Sequence, residues 1–520
     1  MSAEVERGPL RVWIVVAGLL LALFLQQVLS MRLLTASFDE ATHLAAGYSY
    51  LQTRDFRLNP QHPPLVKLLC ALPLRALAPR VDFGHASFAE TPPREWKFGD
   101  RFLYENDADR LLFWGRLPNV LLSLLLAFYV FLWARDLHGP AAGLCALFLC
   151  VFSPNVIAHG RLVTFDLGVA CFSTLTLYHL WRFSCTGAWL HVFLAGAGLG
   201  LALATKFSGL ILLASVVPLL GGVALDGRRR PREVVGALGL VLGLAVLIVQ
   251  ASYLGSAGLP TWWTGLQLVN QDHQPGHAYY LMGEFEPGGW GYYFAAALLF
   301  KTPGLTLLLG VLALAFTRRF GPERRFDDAF LAVPALAWFA ATSAFADNLG
   351  VRYLLPVYPL AFVFASRLAP ALSGLPWARA AATGAALWYA GSSLWIFPDH
   401  LAYFNEFVGG PARGHLYLDD SNVDWGQDLK RVEQWLDAEG IGEVRYRFRH
   451  TARPDYYGVP GRALTDAEWN DPPPGVYALS THILIRGEHH ARTHGAKTDW
   501  LSRYEPVGRV GYSTWIYRFD

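Results

Sequence analysis

The sequence predicts an all-α polytopic membrane protein with a small α/β or α+β module at its C-terminal end, on three observations. Apolar residues fill 53% of the 520 positions and charged residues only 16%, whereas a soluble chain carries about a quarter charged residues. The apolar residues come in long blocks rather than amphipathic stripes, and a helix needs roughly 20 such residues to cross a bilayer. Beyond residue 398 the blocks stop and short alternating segments take over.

The first block, 12–29, carries no charge. It is long and lacks a small-residue cleavage site, so it reads as a retained span rather than a cleavable signal. Further blocks follow at about 111–134, 141–158, 167–183, 188–205, 207–225, 234–254, 291–316, 327–346, 353–370 and 377–397, giving about eleven helices. Arginine sets the orientation. With the N-terminus and its Arg7 and Arg11 in the cytoplasm, the same side receives Arg135, Arg182, Arg228, Arg229, Arg230, Arg232, Arg318, Arg319, Arg324, Arg325, Arg367 and Arg379. The long loop 31–110, the loop 255–290 and everything after residue 398 then lie outside. The expected organisation is a membrane domain, 1–397, and an extracytoplasmic domain, 398–520, in the plasma (inner) membrane. In the outer module, strands are expected near 443–448, 475–479 and 507–517, and a helix over 426–438. The net charge of +2 carries no information about a partner, and no nucleic acid is expected as one. Cys70, Cys145, Cys150, Cys171 and Cys185 lie in apolar or membrane-edge surroundings without metal-ligand spacing, as small hydrophobes do.

Ionisable residues near membrane depth are costly and tend to be kept for function, and this chain gathers several on the outer side. Ser37-Phe38-Asp39-Glu40 follows the first span as a capping box, which places Asp39 in the first helical turn, where the helix dipole favours a carboxylate. Asp39 is a candidate proton acceptor. Glu40 is either a second chemical group or simply the cap. His43 lies one turn on. Asn59-Pro60-Gln61-His62-Pro63-Pro64-Leu65-Val66-Lys67 opens a helix along the membrane. There His62 and Lys67 can meet an anionic headgroup, unless Lys67 only snorkels. A tight outer turn holds His159, Arg161 and Asp166, with Thr164 or Asp166 available as a cap. Lys206 sits between two apolar runs with almost no loop around it, and Arg352-Tyr353 is similarly placed. Two such cations suit a lipid phosphate or diphosphate leaving group, and interfacial anchoring is the alternative. In the loop 255–290, Trp262 and Trp263 suit a membrane interface or a sugar. His273, His277, Glu284 and Glu286 form a loose set without a defined metal geometry. Asp424 opens the C-terminal helix as a cap or a ligand group. No P-loop, dinucleotide fingerprint, nucleophile elbow or zinc-protease motif is present.

Together these pieces resemble the GT-C superfamily of lipid-carrier-dependent glycosyltransferases, in the branch of the protein O-mannosyltransferases and aminoarabinose transferases. The matching residues are Asp39-Glu40, His62-Pro63-Pro64-Leu65, His159 through Asp166, Ala204-Thr205-Lys206, Lys301-Thr302-Pro303, Arg352 through Pro359 and Tyr403-Phe404-Asn405-Glu406. Asp420-Ser421-Asn422-Val423-Asp424-Trp425-Gly426-Gln427-Asp428-Leu429 is similar to a segment of many bacterial members. The resemblance implies a polyprenyl-phosphate sugar as donor, used in the bilayer's outer leaflet, and a protein, lipid or glycan hydroxyl as acceptor. It implies Asp39 as general base in an inverting transfer, with Glu40 beside it, and Asp166 as a second carboxylate shaping the site. His62, Lys67, His159, Arg161, Lys206, Arg352 and Tyr353 are the donor-phosphate and substrate candidates. No metal ligand is assigned, although a divalent metal stays open because the family's need for one varies. Phe165 departs from the family, where Thr is common, and His62 stands where some relatives carry Lys. The competing function is a transporter or lipid-linked-sugar flippase without transferase chemistry; such folds show two similar halves, and no internal repeat is evident here.

Overall fold

A computed structural model describes residues 2–271, 277–317, 325–372, 376–494 and 504–519. Arg318, Arg319, Arg324 and His273 lie outside the described residues. Every expected apolar block is helical. Among the described residues, five helices are long and apolar enough to cross a membrane: Leu10–Met31, Ala108–His138, Phe207–Leu225, Pro231–Ser252 and Arg325–Phe345. Two bent pairs raise the number to seven, against the eleven expected from apolar blocks alone.

The difference has local causes. Pro140–Val151 and Pro154–Gly160 meet at 61°, and Tyr293–Lys301 and Gly304–Ala315 at 113°. Each break sits at a proline, Pro154 or Pro303, which cannot donate to the preceding turn. Trp189–Thr205 and Val357–Pro370 are apolar but short. Asp166–Thr186 is long enough but buries Asp166, Ser173, Thr174, Thr176 and His179. It packs between 108–138 and 189–205, so its polar side chains face protein.

The first outer loop is mostly helical. Glu40–Thr53 packs against Leu65–Ala71 and Glu95–Tyr104. At Gly47 a Cβ would lie 2.1 Å from the Lys67 carbonyl oxygen, so only glycine permits that approach.

After residue 398 the chain makes short 3₁₀ turns, the helix Leu429–Ala438 and a five-stranded sheet. The strand order is 461–463, 444–447, 475–480, 514–519, 508–510. The first two pairings are parallel and the last two antiparallel. Two of the expected strands appear almost in place, and 507–517 is split by the turn at 511–513. Gly426, at φ +84°, brings the chain against His450, where a Cβ would sit 2.5 Å from His450 Cβ. The main apolar core runs unbroken from Val16 in the first helix to Ile516 in the sheet.

Candidate functional site

A cavity of about 330 Å³ gathers six of the ten residues singled out in the sequence: Asp39, His62, Asp166, Lys206, Arg352 and Tyr353. Larger hollows of about 540 and 660 Å³ lie around the C-terminal sheet, but only the smaller one holds this ionised cluster. The rest of its lining is largely apolar, with Phe207, Ile211, Leu266, Val269, Trp338 and Phe345.

Each charged group comes from the end of a helix. Asp39 is the N-cap residue of Glu40–Thr53, so the helix starts two residues later than the capping-box reading predicts. Only half of that box forms: Ser37 N–H donates to Glu40 Oε2 at 2.8 Å, while Ser37 Oγ has no partner. Asp39 Oδ2 lies 3.5 Å from Arg352 Nη1, and its side chain keeps 22% exposure. Asp166 begins its helix and takes Lys206 Nζ at 2.5 Å. Lys206 also lies 4.4 Å from the centre of the Tyr353 ring, and the Arg352 guanidinium stacks 4.3 Å over Trp425. The result is a chain of alternating charge, Asp39–Arg352 beside Lys206–Asp166, along one cavity wall.

Four predicted residues do not line the cavity, and each has a physical reason. Glu40 is fully buried. It accepts from Arg116 Nε at 2.9 Å and Nη2 at 2.6 Å, and from the N–H groups of Ser37 and Val163. Burial alone would raise its carboxyl; the Arg116 charge and these donors hold it below the ordinary value. With every lone pair engaged, Glu40 ties Arg116 to the 37–40 turn and does not line the cavity. Lys67 is likewise fully buried, donating to the carbonyls of Asn59 and His62 and to Tyr50 Oη. Burial pushes its ammonium down to about 7. Lys67 holds the 59–62 turn in place and does not line the cavity. Arg161 donates to the Pro398 carbonyl at 2.7 Å. His159 stands edge-on to Trp425 at 6.4 Å. Both tie the outer turn to the C-terminal segment instead of meeting a headgroup. His62 does line the cavity, but burial, reinforced by nearby positive groups, keeps its imidazole neutral, so it offers no positive charge to a phosphate.

The C-terminal segment 419–428 completes the site. The carbonyl of Trp425 accepts from Phe38 N–H, and that of Gln427 from Thr35 N–H, each at 2.9 Å. Asn422 Oδ1 accepts from Val351 N–H at 3.0 Å, and the Asn422 carbonyl from Lys301 Nζ at 2.6 Å. One ten-residue stretch therefore positions the backbone on both sides of the Asp39–Arg352 pair. The sequence flagged this stretch by similarity but gave Trp425 and Asn422 no role. Arg116 was overlooked as well, although an arginine inside an apolar run is a signal in itself. His43 and Asp347 also line the cavity. Glu284 and Glu286 lie in the hairpin 278–287 and are exposed; among the described residues no three His, Cys, Asp or Glu side chains are grouped to hold a metal.

Residues 16–227 match the family described as dolichyl-phosphate-mannose-protein mannosyltransferase. No curated protein matches the sequence. ArnT from Cupriavidus metallidurans, in its apo state, superposes with a TM-score of 0.51 over 97% of each chain, at 14% identity. The archaeal oligosaccharyltransferase AglB from Archaeoglobus fulgidus, in complex with an inhibitory peptide and a dolichol-phosphate, gives 0.51 at 12% identity, over 98% of this chain and 74% of its own. At these identities the likeness is one of fold. The chain therefore shares the fold of ArnT and AglB, and its residues 16–227 match the protein mannosyltransferase family.

Proposed function

We propose that this protein is an inverting glycosyltransferase, moving a hexosyl or pentosyl unit from a polyprenyl-phosphate donor to a hydroxyl of a protein, lipid or glycan. The observation that carries the reading is one partly open carboxylate, Asp39, sharing a half-apolar cavity with Arg352 and Lys206. The apolar wall suits a prenyl chain entering from the bilayer, and the cations suit the phosphate. The match to a dolichyl-phosphate-mannose family and the dolichol-phosphate in AglB support the same donor class.

In the transfer, Asp39 accepts the proton of the acceptor hydroxyl, whose oxygen attacks the anomeric carbon from the face opposite the phosphate. The bond from that carbon to the phosphate oxygen breaks, and the electron pair leaves with the polyprenyl phosphate. Arg352 and Lys206 stabilise the charge that develops there. Asp166 holds Lys206 in place. The arginine distribution supports an inner-membrane protein with a cytoplasmic N-terminus, a membrane domain over residues 1–397 and an outer domain over residues 398–520.

Mass spectrometry of glycoproteins and glycolipids from cells with and without the gene tests this. A glycan absent from the deletion strain should return with the wild-type gene and stay absent with Asp39→Asn expressed at equal level. Restoration by Asp39→Asn would reject base catalysis and favour a transporter or flippase.

A further inference from the structure

The hollow of about 540 Å³ beside the C-terminal sheet has no part in the proposed chemistry, and its size is that of a small-molecule site. Three separate stretches meet around it: the hairpin 278–287, the 3₁₀ turn Pro411–Leu416, and the helix Thr481–His494 with the strand Thr514–Phe519. Its lining includes six rings, those of Tyr280, Phe285, His415, His489, Trp515 and Tyr517. Tyr280 and Phe285 are cross-strand partners with ring centres 5.0 Å apart, and Phe285 lies nearly parallel to His489 at 4.0 Å. Hydrogen bonds hold two of the rings: Tyr280 Oη donates to the His415 carbonyl and Trp515 Nε1 to Thr481 Oγ1, each at 3.0 Å. Guanidinium groups back two as well, Arg509 at 4.1 Å from Trp515 and Arg486 at 5.6 Å from Phe285. Each guanidinium is itself tied down, Arg486 by Asp419 and the Ala278 carbonyl, Arg509 by the Ala412 and Tyr512 carbonyls. A wall fixed in this way loses little freedom when a ligand binds.

The hairpin also joins this hollow to the cavity that holds Asp39. Side chains alternate across a strand: Tyr280 lines the hollow, whereas its neighbour Tyr279 donates to Asp347, which lines the cavity. Just past the hairpin, Gly289 stands at φ +74°, where a Cβ would lie 2.2 Å from Asn348 Oδ1. The chain there is pressed against the stretch that leads into Arg352. We infer that the hollow is an acceptor subsite and binds an oligosaccharide, about two or three pyranose rings in extent. Flat ring faces contributed by three stretches suit the C–H faces of successive sugars. The Glu284 carboxylate and the polar tips of Tyr517 and His489 suit their hydroxyl groups. An acyl chain would offer those polar groups no partner. Calling the glycan an acceptor rests on the glycosyltransferase reading; that a glycan binds here does not.

The test is calorimetric titration of the full-length protein, in a detergent without a sugar headgroup, with maltotriose, cellotriose, mannotriose and chitotriose. A serine- and threonine-rich peptide and undecaprenyl phosphate are titrated alongside. At least one trisaccharide should bind with a Kd below about 1 mM. Phe285→Ala, which removes one ring, and Leu416→Trp, which fills the hollow from a half-exposed position, should each weaken it at least about tenfold, as loss of an aromatic anchor does. Both variants should bind undecaprenyl phosphate within about twofold of the wild type. A wild type that binds none of the trisaccharides would overturn the inference, as would variants that leave their affinity unchanged or weaken the lipid equally. Binding of the peptide in place of the saccharides, lost in the same variants, would overturn it too. A wild type that binds a trisaccharide, with that binding lost in both variants, but no undecaprenyl phosphate would uphold the glycan site and reject the glycosyltransferase reading.

Discussion

Two adjacent carboxylates, Asp39 and Glu40, are expected to fail in opposite ways when neutralised. Glu40→Gln places an amide where four donors converge on two oxygens. Whichever way the amide turns, its NH₂ faces two of those donors, and the buried Arg116 loses its counter-charge. Removing one partner of a buried pair costs about 3–5 kcal/mol. Asp39→Asn removes a single contact of 3.5 Å at a partly open side chain, which is worth at most about 1 kcal/mol. Unfolding in detergent and sugar transfer by membranes of matched expression should therefore separate the pair. Glu40→Gln is expected to unfold well before the wild type, with transfer lost in proportion to folded protein. Asp39→Asn is expected to unfold like the wild type and transfer nothing. A Glu40→Gln protein of normal stability and no activity would refute the division of labour drawn here.

Lys206→Met leaves Asp166 buried without its partner; a stability loss of about 3 kcal/mol is expected, with undecaprenyl phosphate binding weakened at least roughly tenfold in a fluorescence titration. Trp425→Leu removes the ring under Arg352, an interaction of about 1–2 kcal/mol when desolvated, so kcat/KM should fall about 5- to 30-fold per folded molecule, and the unfolding temperature should drop as well because the buried ring leaves a cavity. Acidification should destabilise the protein between pH 6.5 and about 4, because the unfolded chain takes up a proton at His43 there while the folded chain resists it. The group's folded value is depressed, so its contribution is full above 6.5 and falls as the pH drops. His43→Asn should make the pH profile of the unfolding temperature shallower over that window by one proton's share, while His62 and the other buried histidines keep the rest of the slope.

The helical class was legible in the sequence, because block length is a local property. So was the candidate set around Asp39, Asp166, Lys206 and Arg352, since a charge beside an apolar run stands out without any partner being known. The span count was less legible: Pro154 and Pro303 bend their helices within a single apolar block. Which of two neighbouring carboxylates faces a cavity depends on where Arg116, 76 residues away, comes to rest. Lys67 and Lys206 read alike in the sequence, yet one is wrapped in backbone carbonyls and the other reaches a carboxylate at the cavity wall. Trp425 meets Arg352 only because the chain returns after its last membrane helix to pair its backbone with Phe38. Periodicity and composition fix what a segment is; the partners that assign each charge its task come from distant stretches of the chain, and only packing brings them together.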